Sequence, residues 1–153
     1  MNIRPLYPEE APPYSLLLLA DPSRRIVEDY VNRGCCFVLE EAASIIGVYV
    51  LLPTRPQTVE LVNIAVDEAH QGKGLGKRLA AHAIERAREA GYHTIEVGTG
   101  NSSLPQLSLY QKCGFRMTGI ERDFFIRHYE EEIWENGLQC RDMVRMAIEW
   151  KSS

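Results

Sequence analysis

From Gln71 to Gly76 the chain reads Gln-Gly-Lys-Gly-Leu-Gly, directly after an apolar run and directly before a helical pattern. Three glycines in five positions strip the turn of side chains. Backbone N–H groups can then converge on one point, and a ligand can approach the main chain closely. The helix behind the turn adds unpaired donors and the positive end of its dipole. Together these make a site for an anion, most naturally a phosphate. The charges agree. Lys73, Lys77 and Arg78 stand where helices usually carry acids, and the next acid is Glu85. Each cation there opposes the dipole by about 0.3–1 kcal/mol unless a bound anion compensates. A glycine-rich turn with solvated lysines is the bland alternative.

The common nucleotide motifs do not fit. A P-loop requires Ser or Thr after its lysine, and none follows Lys77. The dinucleotide fingerprint requires a wider final gap than Gly72, Gly74 and Gly76 provide. The pattern that matches is Gln/Arg-x-x-Gly-x-Gly/Ala after an apolar strand. A second block, Leu109-Tyr110-Gln111-Lys112-Cys113-Gly114-Phe115, follows in the right order and about the right distance on. The two blocks resemble the GCN5-related N-acetyltransferase (GNAT) superfamily. The resemblance implies acetyl-CoA as cosubstrate, its pyrophosphate held by Gln71, Gly72, Lys73, Gly74, Leu75, Gly76 and Lys77. It also implies a bulged strand whose backbone donors, near Ile64, Ala65 and Val66, serve the thioester carbonyl and the pantetheine amides.

Acyl transfer to an amine requires a base, stabilisation of the oxyanion and a proton for the leaving thiolate. Tyr110 stands at the family's tyrosine position, and a phenol can donate to a thiolate of lower pKa. On spacing alone it reads as a core tyrosine. Two carboxylates compete as base. Glu60 shares an alternating strand face with Val62, Ile64 and Val66, where apolar neighbours would raise its pKa, and it falls where histone-acetylating relatives keep their glutamate. Glu96 lies on the next strand, where ribosomal-protein-acetylating relatives keep theirs. Either could instead be a solvated strand-edge carboxylate. Asn101 resembles the asparagine that touches the cofactor arm. It stands farther from Tyr110 than the family pattern has it, with Pro105 between, so Ser103 could occupy that slot and Asn101 could be a helix cap.

The family builds its acceptor site from the first helices and the loop between the last strands. Here that loop contains Tyr129, Glu130, Glu131, Glu132, Trp134 and Glu135. Carboxylates beside aromatics could draw a cationic amine, so a small-molecule primary amine is expected ahead of a protein amine. A solvated acidic loop is the competing reading. Competing functions are a non-catalytic CoA-binding sensor or interaction module, and an acyltransferase for a protein amine.

Composition narrows the field. The apolar and charged fractions, 45% and 25%, are those of an ordinary soluble protein. Net charge is −4 and no basic stripe runs beyond the helix start, which disfavours nucleic acid. Cys35, Cys36, Cys113 and Cys140 form no Cys-x-x-Cys pair, so reduced thiols in a cytoplasmic protein are expected. His70, His82, His93 and His128 show no metal-ligand spacing, and no metal is expected. Leu16 to Ala20 is too short to cross a membrane. A homodimer is allowed but not specified.

The elements that must position these residues follow from pattern. Residues 2–6 read as a strand, 14–19 as a helix, and a second helix follows Ser23 and ends at Gly34. Residues 36–39 and 45–52 read as an antiparallel hairpin, 53–57 as a loop and 58–66 as the strand before the glycine turn. A long helix spans 73–90 and stops at Gly91. A strand at 94–97 ends at Gly98-Thr99-Gly100. A short helix covers 106–112, and strands cover 115–125 and 142–150, with a polar, irregular segment between them. The expected fold is α/β (α+β), one GNAT-like domain over residues 1–153, with a mixed central sheet of about seven strands flanked by about four helices.

Overall fold

Apolar residues alternate along the strands so that both faces of one sheet are covered. The structure is a computed structural model and describes residues 1–150. In chain order the elements are β1 (Asn2–Pro5), α1 (Tyr14–Ala20), α2 (Arg24–Arg33), β2 (Cys35–Glu41), β3 (Ser44–Arg55), β4 (Thr58–Val66), α3 (Leu75–Glu89), β5 (Thr94–Gly100), α4 (Leu104–Lys112), β6 (Arg116–Glu121), α5 (Phe124–His128), β7 (Trp134–Glu135), β8 (Leu138–Gln139) and β9 (Met143–Glu149). A single 3-10 turn, Glu68–His70, precedes the glycine turn. Seven strands form the main sheet in the order β1-β2-β3-β4-β5-β9-β6, and only the β4–β5 pair is parallel. The mixed sheet and its flanking helices match the expected class, with five α-helices rather than about four. No helix among the described residues is long and apolar enough to cross a membrane.

One sheet face packs against α3 through Leu39, Tyr49, Leu61, Leu79, Ile95 and Met146. Leu75, Leu79, Ala83 and Ala87 recur at helical spacing on α3 and are buried, and the alanines let the helix lie close to the strands. The other face packs against α1 and α2 through Leu17, Val27, Val38, Val48 and Val50. Ser23 caps α2 by accepting a hydrogen bond from the Ile26 N–H at 3.3 Å.

Two irregularities in β4 shape everything near the site. Val50 pairs with Asn63 and Leu51 with Leu61, so Val62 is an extra residue without a β3 partner, a β-bulge. Val59, Leu61, Ile64 and Val66 all pack toward α3, whereas Val62 and Ala65 pack toward α1 and α2. The expectation that Glu60 shares a face with Ile64 and Val66 is therefore corrected. The bulge resets the alternation, and Glu60 lies on the α1/α2 side with Val62. Second, the parallel β4–β5 pairing covers only Thr58–Leu61 against Thr94–Val97. Beyond that point the edge of β4 that faces away from β3 has no strand partner among the described residues.

Other boundaries also differ from expectation, each for a physical reason. β3 continues through Pro53 to Arg55, because a register shift between those residues accommodates the proline. α3 begins at Leu75, since Gly74 is left-handed (φ +78°) and cannot be helical. β5 continues through its glycines to Gly100. A Cβ on Gly98 would lie 2.7 Å from Met143 Sδ, and one on Gly100 would strike Cys140 Sγ, so these glycines permit close packing rather than a turn. β6 stops at Glu121, and left-handed Asp123 (φ 59°) leads into α5. The polar segment contains a hairpin, β7–β8, turned by Asn136 (φ 53°) and Gly137 (φ 78°). Asn-Gly is the pair such turns prefer.

At Gly34 an added Cβ would lie 2.6 Å from Leu51 O and 2.9 Å from Tyr30 O, both backbone atoms that cannot step aside. Gly34→Ala should therefore cost about 1–3 kcal/mol, the usual range for overpacking. Denaturant unfolding checks this, and an unchanged midpoint would show that α2 shifts freely over β3.

Candidate active site

The glycine turn has the properties its sequence suggests. Gly72 (φ +80°) and Gly74 (φ +78°) are left-handed. Gln71 Nε2 donates to Val66 O at 3.0 Å, tying the turn to the end of β4. α3 has no side-chain N-cap and no acid in its first turn. The N–H groups of residues 72–77 have no backbone acceptor among the described residues. Lys73, Lys77 and Arg78 are exposed around them. Unpaired donors, a helix dipole and cations thus face the same solvent, which suits a phosphate or pyrophosphate. A groove of about 260 Å³ joins this turn to β4. It is lined by Ile64, Ala65 and Val66 on the strand and by Gln71, Gly72, Gly74, Leu75 and Gly76 on the turn.

The groove opens into a cleft of about 350 Å³, the two sharing Leu19, Ala20, Ile64 and Gln106. Tyr110 lines the cleft. It is buried, and its ring meets Phe115 edge-on at 5.7 Å between centroids. Burial pushes its pKa above that of a free phenol, so the hydroxyl remains protonated. That hydroxyl makes no hydrogen bond to the protein among the described residues, leaving a donor unspent. Asp21 and Glu135 line the same cleft, and no lysine, arginine or histidine does.

A buried polar chain crosses the cleft from the bulge. Asn63 Nδ2 donates to Leu17 O at 3.0 Å and to Tyr30 Oη at 2.8 Å. Tyr30 Oη donates to Asp21 Oδ2 at 3.2 Å, and Tyr129 Oη donates to Asp21 Oδ1 at 2.9 Å. Burial and the neighbouring Asp21 raise the pKa of Tyr129, and burial foremost raises that of Tyr30, so both phenols stay donors. Asn63 Oδ1 is buried and finds no partner among the described residues. Neither Asn63 nor Asp21 stands out in the sequence as a residue of this cleft. The available signal was an asparagine inside an otherwise apolar strand, since a buried polar side chain needs partners.

Glu60 and Glu96 stand side by side across the parallel β4–β5 pair. They line a separate cavity of about 510 Å³ with Arg55, Glu121 and Arg145. Burial raises the Glu60 pKa, opposed chiefly by Arg145, whose Nη1 lies 3.6 Å from Glu60 Oε2. Glu96 is paired with Arg55 at 2.7 Å. Arg145 and Met143 both lie over Gly98, so their side chains stand between this cavity and the Tyr110 cleft. The structure thus brings Tyr110 together with β4 and the glycine turn, and sets Glu60 one partition away.

Asn101 differs from expectation. Its Nδ2 donates to Gln139 O at 3.1 Å, and its Oδ1 accepts from the N–H groups of Arg141 at 2.8 Å and Asp142 at 3.0 Å. The side chain is spent on fastening β8 to β9 and does not line the cleft. Ser103 does line it, with Oγ donating to Glu135 Oε1 at 2.8 Å. Glu130, Glu131 and Glu132 are exposed, and of the acidic loop Glu135 is the carboxylate on the cleft wall.

A family model described as "Acetyltransferase (GNAT) family" matches residues 3–115. An uncharacterized N-acetyltransferase, YvbK of Bacillus subtilis, is 62% identical over 136 residues, covering 89% of this chain and 88% of that protein. The structure of an IAA acetyltransferase from Bacillus cereus superposes with a TM-score of 0.93 at 59% identity, covering 97% and 98% of the two chains. A GNAT family acetyltransferase from Elizabethkingia anophelis, with acetyl-CoA bound, superposes with a TM-score of 0.95 at 44% identity, covering 97% of each chain.

The unpaired amides of the glycine turn and the unpartnered edge of β4 both fit such a cofactor. Gly74 tests the turn, because nothing lies within 4 Å of a Cβ there while its φ of +78° excludes a β-branched residue. Gly74→Val should weaken CoA binding at least about tenfold, the equivalent of one lost hydrogen bond to a charged group. Calorimetry with CoA checks this, and normal affinity would move the phosphate site elsewhere.

Proposed function

The chain belongs to the GNAT family of acetyltransferases, and from that premise we propose that it moves an acetyl group to the primary amine of a small molecule. It is an acetyl-CoA-dependent acyltransferase, and acetyl-CoA is its cosubstrate. The observation that carries the acceptor assignment is the charge of the Tyr110 cleft. Two carboxylates, Asp21 and Glu135, line it without any basic side chain. Such a cleft concentrates a cationic amine and repels an anionic acceptor. The tie from Tyr129 to Asp21 and a volume of about 350 Å³ favour a small ligand over a protein segment. The name of the B. cereus relative makes IAA a compound to include beside amines in an acceptor screen. Four free thiols agree with a cytoplasmic setting.

In this reading the cofactor, when bound, supplies an acetyl thioester, and the chain supplies three things. Backbone donors on the unpartnered edge of β4 near Ile64, Ala65 and Val66 orient the acyl group. Tyr110 Oη holds the proton that a departing thiolate requires. Glu60 takes the proton of the amine. Supporting Glu60 are its raised pKa and its place on the cleft side of β4, just before the bulge. Its separation from the cleft by Arg145 and Met143 requires either that these side chains move or that water relays the proton. A second reading has one specific observation in its favour: Asp21 lies in the cleft itself and could receive the amine proton directly.

Kinetics separates these roles. Tyr110→Phe should lower kcat by about tenfold to a thousandfold with little change in cofactor affinity. An unchanged kcat, with chemistry rate-limiting, would return Tyr110 to a packing role. A base must be deprotonated to act, and burial raises the Glu60 pKa. Activity should therefore fall, as pH drops, at a pH above the ordinary glutamate value of about 4.3. Glu60→Gln should remove that acidic limb and lower kcat/KM by about a hundredfold, with Glu96→Gln doing much less. If Asp21→Asn removes the limb and Glu60→Gln does not, the base is Asp21.

A further inference from the structure

We propose that β6 is a self-complementary edge through which two copies of this chain pair antiparallel about a two-fold axis, extending the sheet across the dimer. β6 is the last strand of the sheet, with β9 on one side and, among the described residues, no strand on the other. Its Met117 and Ile120 are 57% and 65% exposed, among the most exposed large apolar residues of the protein. Exposed apolar residues on an unpaired strand edge form a template for another strand.

The register selects the partner. In an antiparallel two-fold pair centred between Thr118 and Gly119, Arg116 of each copy lies opposite Glu121 of the other, and Met117 lies opposite Ile120. In a regular strand this pairing would fail. Arg116 and Glu121 are an odd number of residues apart, as are Met117 and Ile120, so each pair would be split between opposite faces. β6 is not regular. Arg116 pairs with Ala147 and Met117 with Met146, but Gly119 comes next, opposite Arg145, leaving Thr118 as an extra residue. The bulge returns the odd spacing to the same face. Met117 and Ile120 stand opposite Met146 and Val144, which pack toward α3, while Arg116 and Glu121 stand opposite Ala147 and Met143 on the other face.

Both halves of the seam therefore match in face, in hydrogen-bonding direction and in chemistry. Two Met117–Ile120 contacts form an apolar strip on the α3 side, and two Arg116–Glu121 ion pairs flank it on the other. Such cross-strand pairs are the unit of sheet stabilisation, and a self-matching patch is what a two-fold dimer requires. Arg116 has no ion-pair partner among the described residues. Glu121 is held by Arg145 at 3.0 Å and Arg127 at 3.5 Å, and its half-exposed carboxylate has lone pairs left to accept from a further arginine. Thr118, Gly119, Ile120 and Glu121 also line the Glu60 cavity, so the seam runs along its rim.

Sedimentation of the full chain tests the proposal, with a mass twice the 17.4 kDa of one chain expected. Met117→Glu and Ile120→Lys should each give monomers that still unfold cooperatively and bind CoA as the wild type does, since both side chains are exposed, with a melting temperature lowered only by the lost association. Mixed, the two variants should restore a dimer, because Glu at 117 of one chain then faces Lys at 120 of the other while the second Met117–Ile120 contact remains native. A monomeric wild-type chain would overturn the proposal. So would dimers that survive both substitutions, or a mixture that remains monomeric.

Discussion

One unpaired residue in β4 governs the site. Val62 has no partner on β3, and past Leu61 β4 also loses its partner on β5. A strand normally spends its amides on neighbours, and a buried amide without an acceptor is costly. Here the alternate amides that face away from β3, those of Ile64 and Val66, can be met by a ligand instead. The parting and the bulge therefore define a slot in the middle of the sheet, with the glycine turn at one end and Tyr110 near the other.

The same bulge turns Asn63 toward α1 and α2. Its amide group holds Leu17 O and Tyr30 Oη, and Tyr30 in turn holds Asp21. The Asp21 side of the cleft is thus fixed to the backbone irregularity that parts β4 from β5. Buried polar chains of this kind are stable only when nearly every member is satisfied. Asn63 Oδ1 is the member left over, which places the unmet cost at the bulge. On β5, Gly98 and Gly100 let Met143, Arg145 and Cys140 close in, and Met143 and Cys140 line the cleft beside them. Burial then raises the pKa of Tyr110 and Glu60, holding one as a donor and favouring proton uptake by the other.

What the sequence revealed and what it hid follow from the range of the interactions. The anion turn was legible because its chemistry is local: three glycines, a helix start and no early acid. The position of Tyr110 was legible from family resemblance. The face of Glu60 was not, because alternation assumes an unbroken strand, and the choice of Leu61 rather than Val62 opposite Leu51 is a tertiary decision. The glycines of β5 were read as a stop because glycine commonly breaks structure, whereas here it yields space to β9 side chains. The use of the Asn101 side chain was not legible, because its hydrogen-bond partners lie about forty residues away. The β7–β8 hairpin was legible in Asn136-Gly137 and was passed over amid the surrounding charge.

The central claim is that the unpartnered edge of β4 and the amides of the glycine turn bind one ligand between them. Amide hydrogen exchange with and without acetyl-CoA measures this directly. Ile64 and Val66, whose N–H groups face away from β3, should gain protection together with residues 72–77, while Ala65, paired with Val48 on β3, and Thr58 to Leu61, already paired with β5, should change little. Protection confined to the turn, with Ile64 and Val66 exchanging as before, would contradict the account.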